Sequence, residues 1–342
     1  MSTVSDSGKY RLPAEWEKQE AVWFAWPTRA ALWPGKLNLV QDQLAQLYVL
    51  AAGFQRVCVL CPEEAQSGLR ERLAGTDVRL FDYACDDVWC RDFGPFFMIN
   101  DRASELHISD WRFNAWGEKY APWGQDDGAA AWIARELNLA VSEEKQVLEG
   151  GAIECNGAGV LLTTEAVLLN PNRGALGDKA AMEERLSASL GISQVLWLGQ
   201  GLASDDTDGH VDNLARFYRE DAILYAAVPD RGHPDHAALA DNERRIQDFS
   251  TVQGGPYQMK ALPLPEPIYE KGEMLAASYL NYLVLNGAVL VPTYGQPNLE
   301  REVLGIIGEC YPGREILGFD CLEIIREGGA LHCLSQHQPA LA

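Results

Sequence analysis

A cysteine, histidines and several carboxylates gather among glycines in three short stretches of this 342-residue chain. Together they could attack an electrophilic carbon, move protons and hold a cation. The stretches are VWCRDFGP (88–95), SDDTDGHVDN (204–213) and EGGALHCLSQHQP (327–339). In the third, Cys333 follows a double glycine, which lets backbone approach a ligand closely. A thiol near a chain end is more often inert packing than a nucleophile. The case for Cys333 rests on its company: His332 beside it, and a distant His and Asp able to activate it. Cys90 is the rival thiol, but it sits between Trp89 and Arg91 in a stretch where Asp92 is the better candidate.

In the second stretch, an extended GHVD segment would place His210 and Asp212 on one face of a strand. A carboxylate beside a histidine favours the imidazolium, which suits a general acid that later serves as base. A surface turn accounts for the same residues, since DDTDGH is rich in loop formers. The chain has six histidines and no HxxxH or HxH pair, so no metal site is expected.

Asp92, Glu149 and Asp212 are the carboxylates flanked by glycine or by tight turns. Buried carboxylates are costly unless paired. A planar guanidinium, with its fork of N–H donors, is a natural partner for two facing carboxylates. Trp89 could cover a cationic or alkyl part of such a ligand. Taken singly, each carboxylate is more commonly accounted for by an ion pair with one of the 28 lysines and arginines.

The elements that must position these groups alternate short apolar strands with helices. RVCVLCP, DVRLFDY, PFFMIN and ELHISDW have the apolar and β-branched density of strands, and GVLLTTEAVLLN, DAILYAAV and AVLVPTY extend the series. NLVQDQLAQLYVLAAGF, KAAMEERLSASLG and LEREVLGIIGEC have helical periodicity. The chain reads as mixed α/β, a single domain over 1–342, with neither a GxGxxG fingerprint nor a P-loop. EGGAIEC (149–155) is echoed by EGGALHC (327–333) at an offset of 178 residues, which points to a duplicated unit and a ring of related units around a centre.

Composition narrows the partners. A formal charge of −21 repels nucleic acid and anionic lipid and attracts cations. No stretch approaches the roughly 20 apolar residues of a membrane span. The opening residues have no basic region followed by an apolar one, so they do not read as a secretory signal and the expected location is the cytoplasm. Eight cysteines in such a chain are expected as reduced thiols, with the Cys58–Cys61 pair buried at a strand end.

The segments RLPAEWEKQEAVWFAWP, VWCRDFGP, DWRFNAWGEKY, LEGGAIECNGAGVLLTTEAVLLNPNR, DDTDGHVDN and EGGALHCLSQHQP, in that order, resemble the agmatine deiminase and Porphyromonas-type peptidylarginine deiminase family nearly end to end. The resemblance implies a five-bladed, pseudo-symmetric α/β propeller of ββαβ units, the pentein fold. It implies Cys333 as nucleophile, His210 as acid and base, Glu149 as the carboxylate that orients and charges it, and Asp92 with Asp212 as the guanidinium clamp. No metal or organic cofactor is implied, and a homodimer is. The chain departs from the family where EGGALHC replaces the common GGGNIHC, so that Ala330 stands in place of Asn. It departs again where GQDD follows EKYAPW. The first bears on the positioning of Cys333, the second on substrate preference.

The residues allow three functions. Agmatine hydrolysis suits the acidic charge, with Asp206 and Asp208 available for a distal ammonium. Deimination of peptidylarginine, free arginine or another alkylguanidine uses the same chemistry. A non-catalytic binding protein of this fold would have no use for Cys333, His210, Glu149, Asp92 and Asp212 together.

Overall fold

A computed structural model describes residues 9–100, 102–174 and 177–342. Five of its sheets repeat one plan: an antiparallel strand pair, then a helix, then a strand parallel to the second of the pair. The first unit is Phe96–Asn100 and Leu106–Arg112, the helix Gly124–Glu136, and Ala140–Val147, with Tyr10–Arg11 added at its edge. The second is Ile153–Cys155, Val160–Thr164, Lys179–Leu190 and Gln194–Leu198. The third is Ala215–Arg219, Ala222–Ala227, His236–Asp248 and Gln258–Pro263. The fourth is Leu283–Val284, Ala288–Thr293, Pro297–Cys310 and Glu315–Asp320.

The fifth unit joins the two ends of the chain. Gln336–Pro339 pairs antiparallel with Gln19–Ala25, which runs through the helix Leu37–Ala52 to the parallel strand Arg56–Leu60. A further helix, Glu63–Arg72, leads to a fourth strand, Val78–Phe81. These are the five ββαβ units of the α/β propeller that the resemblance implies, closed by the C-terminal strand.

Local chemistry explains the elements. The helix Lys179–Leu190 starts where the Asp178 side chain accepts from Ala181 N at 2.9 Å and stops at Gly191 in the left-handed region. Pro297 opens the helix Pro297–Cys310, where its missing N–H costs nothing. Val22, Trp23 and Phe24 are all fully buried, as expected for a strand covered on both faces. Each such side chain contributes roughly 1.5–3 kcal/mol by leaving water.

Three local readings are corrected. The run GVLLTTEAVLLN is a strand only to Thr164; Glu165–Leu168 is a helical turn, started by Thr164, whose hydroxyl accepts from Val167 N. GHVD is not extended: Val211–Asn213 is a 3-10 turn with His210 at its start. The EGGA echo also does not superpose on the sheets, because Cys155 lies inside a strand whereas Cys333 lies in the turn three residues before one. The eight cysteines are buried free thiols, and burial pushes Cys58 and Cys61 up to about 12. Among the described residues no helix is long and apolar enough to cross a membrane.

Candidate active site

Each unit sends the segment entering its first strand to a common centre. Asp92 lies four residues before Phe96, Glu149 four before Ile153, Asp212 three before Ala215, Asn281 two before Leu283 and Cys333 three before Gln336. Residues far apart in sequence therefore meet, and the turns hold one another: Arg91 N donates to Cys333 O at 3.1 Å.

Gly151 marks the point of convergence. A Cβ there would lie 2.5 Å from His210 Nδ1, 2.9 Å from Asp92 Oδ1 and 3.1 Å from Asp212 Oδ2, so only glycine fits. Its own N–H donates to Asp92 Oδ1 at 2.9 Å, and Trp116 Nε1 donates to Asp92 Oδ2 at 3.0 Å. Asp212 Oδ2 is 2.8 Å from His332 Nδ1 and 3.5 Å from Cys333 Sγ. The sulfur also accepts from Asn281 Nδ2 at 3.0 Å. His210 stands between carboxylates, with Nδ1 3.8 Å from Asp92 Oδ1 and Nε2 3.8 Å from Glu149 Oε2.

Behind His210, Arg173 ties Glu149 to the loop that carries the histidine. Its Nε donates to Glu149 Oε1 at 2.7 Å and its Nη2 to Thr207 O at 2.8 Å, and Nη1 pairs with Asp208. Asp205 and Thr207 accept from His210 N. Among the described residues, Glu149 Oε2, His210 Nε2 and Asp212 Oδ1 are buried without a hydrogen-bond partner. Orphaned buried polar atoms are uncommon and suit a ligand that brings donors and charge.

The charges are mutually tuned. Burial alone would lower His210, but the Asp92 carboxylate and then Glu149 push it up to about 9. Burial raises Asp92 to about 6, with Asp212 and Glu149 adding to the rise against the pull of His210. Burial also works to raise Glu149, yet the nearby His210 and the charge of Arg173 hold it below its usual value. Cys333 stands well above its usual value through burial, then through the charges of Asp212 and Asp92.

One consequence is a pH dependence of stability. His210 and Asp92 are both raised on folding, so the folded state binds more protons than the unfolded one and stability falls as pH rises. For His210 the window runs from 6.5 to about 9, at up to about 1.4 kcal/mol for each pH unit by which the group is displaced. Denaturant unfolding at pH 6.5 and 9 is expected to give lower stability at pH 9, and His210→Asn is expected to flatten that difference. An unchanged difference in the variant would assign it elsewhere.

The centre opens into a cavity of about 420 Å³, lined by Cys333 and Asp92 together with Trp33, Trp89 and Trp116. This is a small-molecule size. Trp89 packs against Gly329, where a Cβ would come within 2.4 Å of the indole, so the second glycine of EGGA makes room for the ring. Asp206, Glu273 and Glu327 line the cavity as exposed residues, with Asp87 and Glu270 partly buried. Burial raises Asp87 to about 7. Lys271 and Arg326 are the lining bases, and Arg326 is paired with Glu270 and Glu323.

Sequence reasoning placed Cys333, His210, Glu149, Asp92 and Asp212, and they do meet. Trp89 and Asp206 line the same cavity, where Asp206 bonds the Tyr120 hydroxyl. Asp208 does not suit a ligand ammonium, because Arg173, Lys119 and Asn172 already occupy it. His332 is not company for the sulfur in the sense expected: its ring bridges Asp212 and Glu15, at 2.8 Å each. Cys90 is fully buried and its thiol is pushed far up by burial.

Sequence reasoning missed Asn281, Trp116 and Arg173. Asn281 lies in AASYLNYLVLNG, which has no charged residue to draw notice; only its place before the first strand of a unit marks it. Also missed was an ionic network beneath the centre, in which Glu15 pairs with Arg91 at 2.8 Å and Arg216 at 2.7 Å, and Arg216 with Glu154 at 2.6 Å. Glu15, Glu154 and His332 also form a trio at metal-ligand separations, but the two arginines already supply the cations there.

Comparison with known proteins gives one family. The model described as Porphyromonas-type peptidyl-arginine deiminase matches residues 11–339. The agmatine deiminase of Pseudomonas fluorescens (strain SBW25) is 34% identical, covering 97% of this chain and 96% of that protein. That of Pseudomonas aeruginosa (strain LESB58) is 33% identical with the same coverage. Among solved structures, agmatine deiminase of Enterococcus faecalis superposes with a TM-score of 0.91 at 30% identity, covering 99% of this chain and 100% of that one. A cysteine-to-serine variant of C. jejuni agmatine deiminase with substrate bound gives 0.90 at 26% identity, with both chains fully covered.

Proposed function

Because this chain belongs to the Porphyromonas-type peptidyl-arginine deiminase family, we propose that it hydrolyses the guanidine group of agmatine, releasing ammonia and leaving N-carbamoylputrescine, with Cys333 as nucleophile. The observation that carries this is the convergence of Cys333, His210, Asp92, Asp212 and Glu149 at one buried point beside a small cavity. A guanidinium would meet the orphaned Asp212 Oδ1 and the Asp92 carboxylate, and its charge would offset the carboxylates that hold the Cys333 thiol protonated. Trp89, which lines the cavity, would cover the alkyl chain.

The reaction runs in two half-steps. With the guanidinium bound, the Cys333 thiol gives its proton to solvent and the sulfur bonds to the guanidine carbon, giving a tetrahedral adduct. His210, protonated at neutral pH, gives its proton to the departing nitrogen; the C–N bond breaks and ammonia leaves. An amidino group then remains on Cys333. His210 takes a proton from water as the water oxygen bonds to the same carbon; the C–S bond then breaks to return the sulfur as thiolate, and the proton left on the new oxygen passes to solvent as the carbonyl forms. Glu149, locked by Arg173, holds the histidine in orientation and charge. No step of this cycle uses a metal or organic cofactor.

The acidic lining supports agmatine over arginine. Asp206, Glu273 and Glu327, with Asp87 in its ionised form, would attract a distal ammonium and repel an α-carboxylate. On the family resemblance we also take residues 1–342 as one catalytic domain, working in the cytoplasm as a homodimer. The test is ammonia release by the purified protein from agmatine, free arginine and an arginine-containing peptide at equal concentrations. Agmatine is expected to exceed the others in kcat/KM by on the order of 100-fold or more. Preferential turnover of arginine or the peptide would keep the chemistry and remove the substrate; no ammonia from any of the three would count against the enzyme reading itself.

A further inference from the structure

We propose that Asn281 is a further catalytic residue, whose side-chain N–H groups bind the Cys333 sulfur and favour it as thiolate in both half-steps. The proposal rests on the reading of Cys333 as nucleophile. Asn281 Nδ2 lies 3.0 Å from Cys333 Sγ, and the same nitrogen is 3.2 Å from Asp212 Oδ2 and 3.1 Å from Asn213 Oδ1. The orientation of the amide is dictated by its other end. Oδ1 accepts from the backbone N–H groups of His332, at 3.0 Å, and Cys333, at 3.2 Å. Backbone N–H groups only donate, so the oxygen must face them and the NH₂ must face the sulfur.

The side chain therefore holds the nucleophile's turn with one end and its sulfur with the other. The Asn281 carbonyl adds a third tie, accepting from His332 N at 3.1 Å. Asn281 is itself held rigidly: it is 1% exposed, and the segment that carries it is tied to the third unit where Ser278 Oγ donates to Asn213 O at 2.9 Å. Such support is what a positioned donor needs.

The chemistry needs a donor at this place. The charged groups that face the sulfur are Asp212, at 3.5 Å, and Asp92, and both oppose ionisation in addition to burial. Asn281 is the side chain that opposes them with a hydrogen bond. As the thiol loses its proton, the bond from Nδ2 becomes charge-assisted and stronger. The same donor serves again when the second tetrahedral adduct expels sulfur, since charge returns to the same atom. An uncharged amide suits the site because a cation here would compete with the guanidinium for Asp212.

Two variants and one reaction besides turnover test this. Asn281→Leu keeps the size and removes the donors; Asn281→Ala removes the side chain. The rate of iodoacetamide alkylation at Cys333, located by peptide mass mapping, is followed against pH. Both variants are expected to displace the profile to higher pH by about one unit and to lower kcat by roughly tenfold to a hundredfold, the loss of one hydrogen bond to a charged group. KM is expected to change less than about threefold, as for an interaction made mainly after binding. A packing role would lower the melting temperature and leave the alkylation profile in place, and that result overturns the proposal.

If neither variant folds, the wild type still decides. The side-chain amide resonances of Asn281 should shift when Cys333 is alkylated, and unmoved resonances would overturn the proposal. Failure of the underlying reading has a different signature, namely turnover by Cys333→Ser. With that variant inactive and the alkylation profile unmoved in the Asn281 variants, only the Asn281 proposal falls.

Discussion

Cys333→Ser is expected to lose at least ~10⁴-fold in ammonia release, the scale seen when a covalent nucleophile is removed, while keeping its fold and its affinity for agmatine. A serine hydroxyl ionises far less readily than a thiol, and nothing beside it is placed to take its proton: the neighbouring groups are the Asp212 carboxylate, held below its usual value by its bond to His332, and the Asn281 amide, which donates. Binding should survive because the carboxylates that would receive the guanidinium keep their own supports. Asp92 is held by Gly151 N and Trp116 Nε1, and Asp212 by His332 and Asn281. Calorimetric titration of the variant with agmatine, beside a melting curve and an ammonia assay, separates the outcomes. Turnover at the wild-type rate removes Cys333 from the nucleophile role. No other thiol is ready to take it, since Cys90, the nearest rival in sequence terms, is fully buried and raised far above its usual value.

His210→Asn is expected to slow steady-state turnover by ~10²–10⁴-fold, the usual range for a general acid and base. The imidazole, pushed up to about 9, carries its proton at neutral pH and can give it to the leaving nitrogen. Its loss of that proton as pH rises through about 9 should produce an alkaline fall in activity, and the variant should lack that limb. An amide can neither give nor take a proton, so both half-steps lose their carrier. Where the second half-step is slowed more, the amidino adduct accumulates, visible in the intact mass as the substrate's mass less ammonia. Normal rates, or an alkaline limb unchanged in the variant, exclude His210 from the role.

Much of the candidate site was legible in the chain because its groups are of scarce types in tight sequence contexts. A cysteine after a double glycine, a histidine two residues from an aspartate and a carboxylate before GGA stand out against an apolar background. Asn281 was not legible, since an asparagine among tyrosines and leucines has no chemistry of its own until a sulfur is put 3.0 Å away. Arg173 was likewise one base among 28, and only folding makes it the lock on Glu149. The extended reading of GHVD failed for a local reason. Asp205 and Thr207 accept from His210 N, a turn interaction that competes with strand geometry.

By itself, the sequence determined the class of elements, through apolar periodicity and caps such as Asp178 and Gly191, and it determined the stock of reactive groups. It also carried the glycines without which the groups could not approach, Gly151 beneath the imidazole and Gly329 beneath Trp89. Tertiary structure alone decided which carboxylates are free to face a cation and which are already matched. Asp208 is taken by Arg173 and Glu15 by Arg91 and Arg216, while Asp212 Oδ1 is left over. The reason is physical. Pairing, burial and the resulting proton affinities depend on distances between residues from different units, and those distances exist only once the ring has closed.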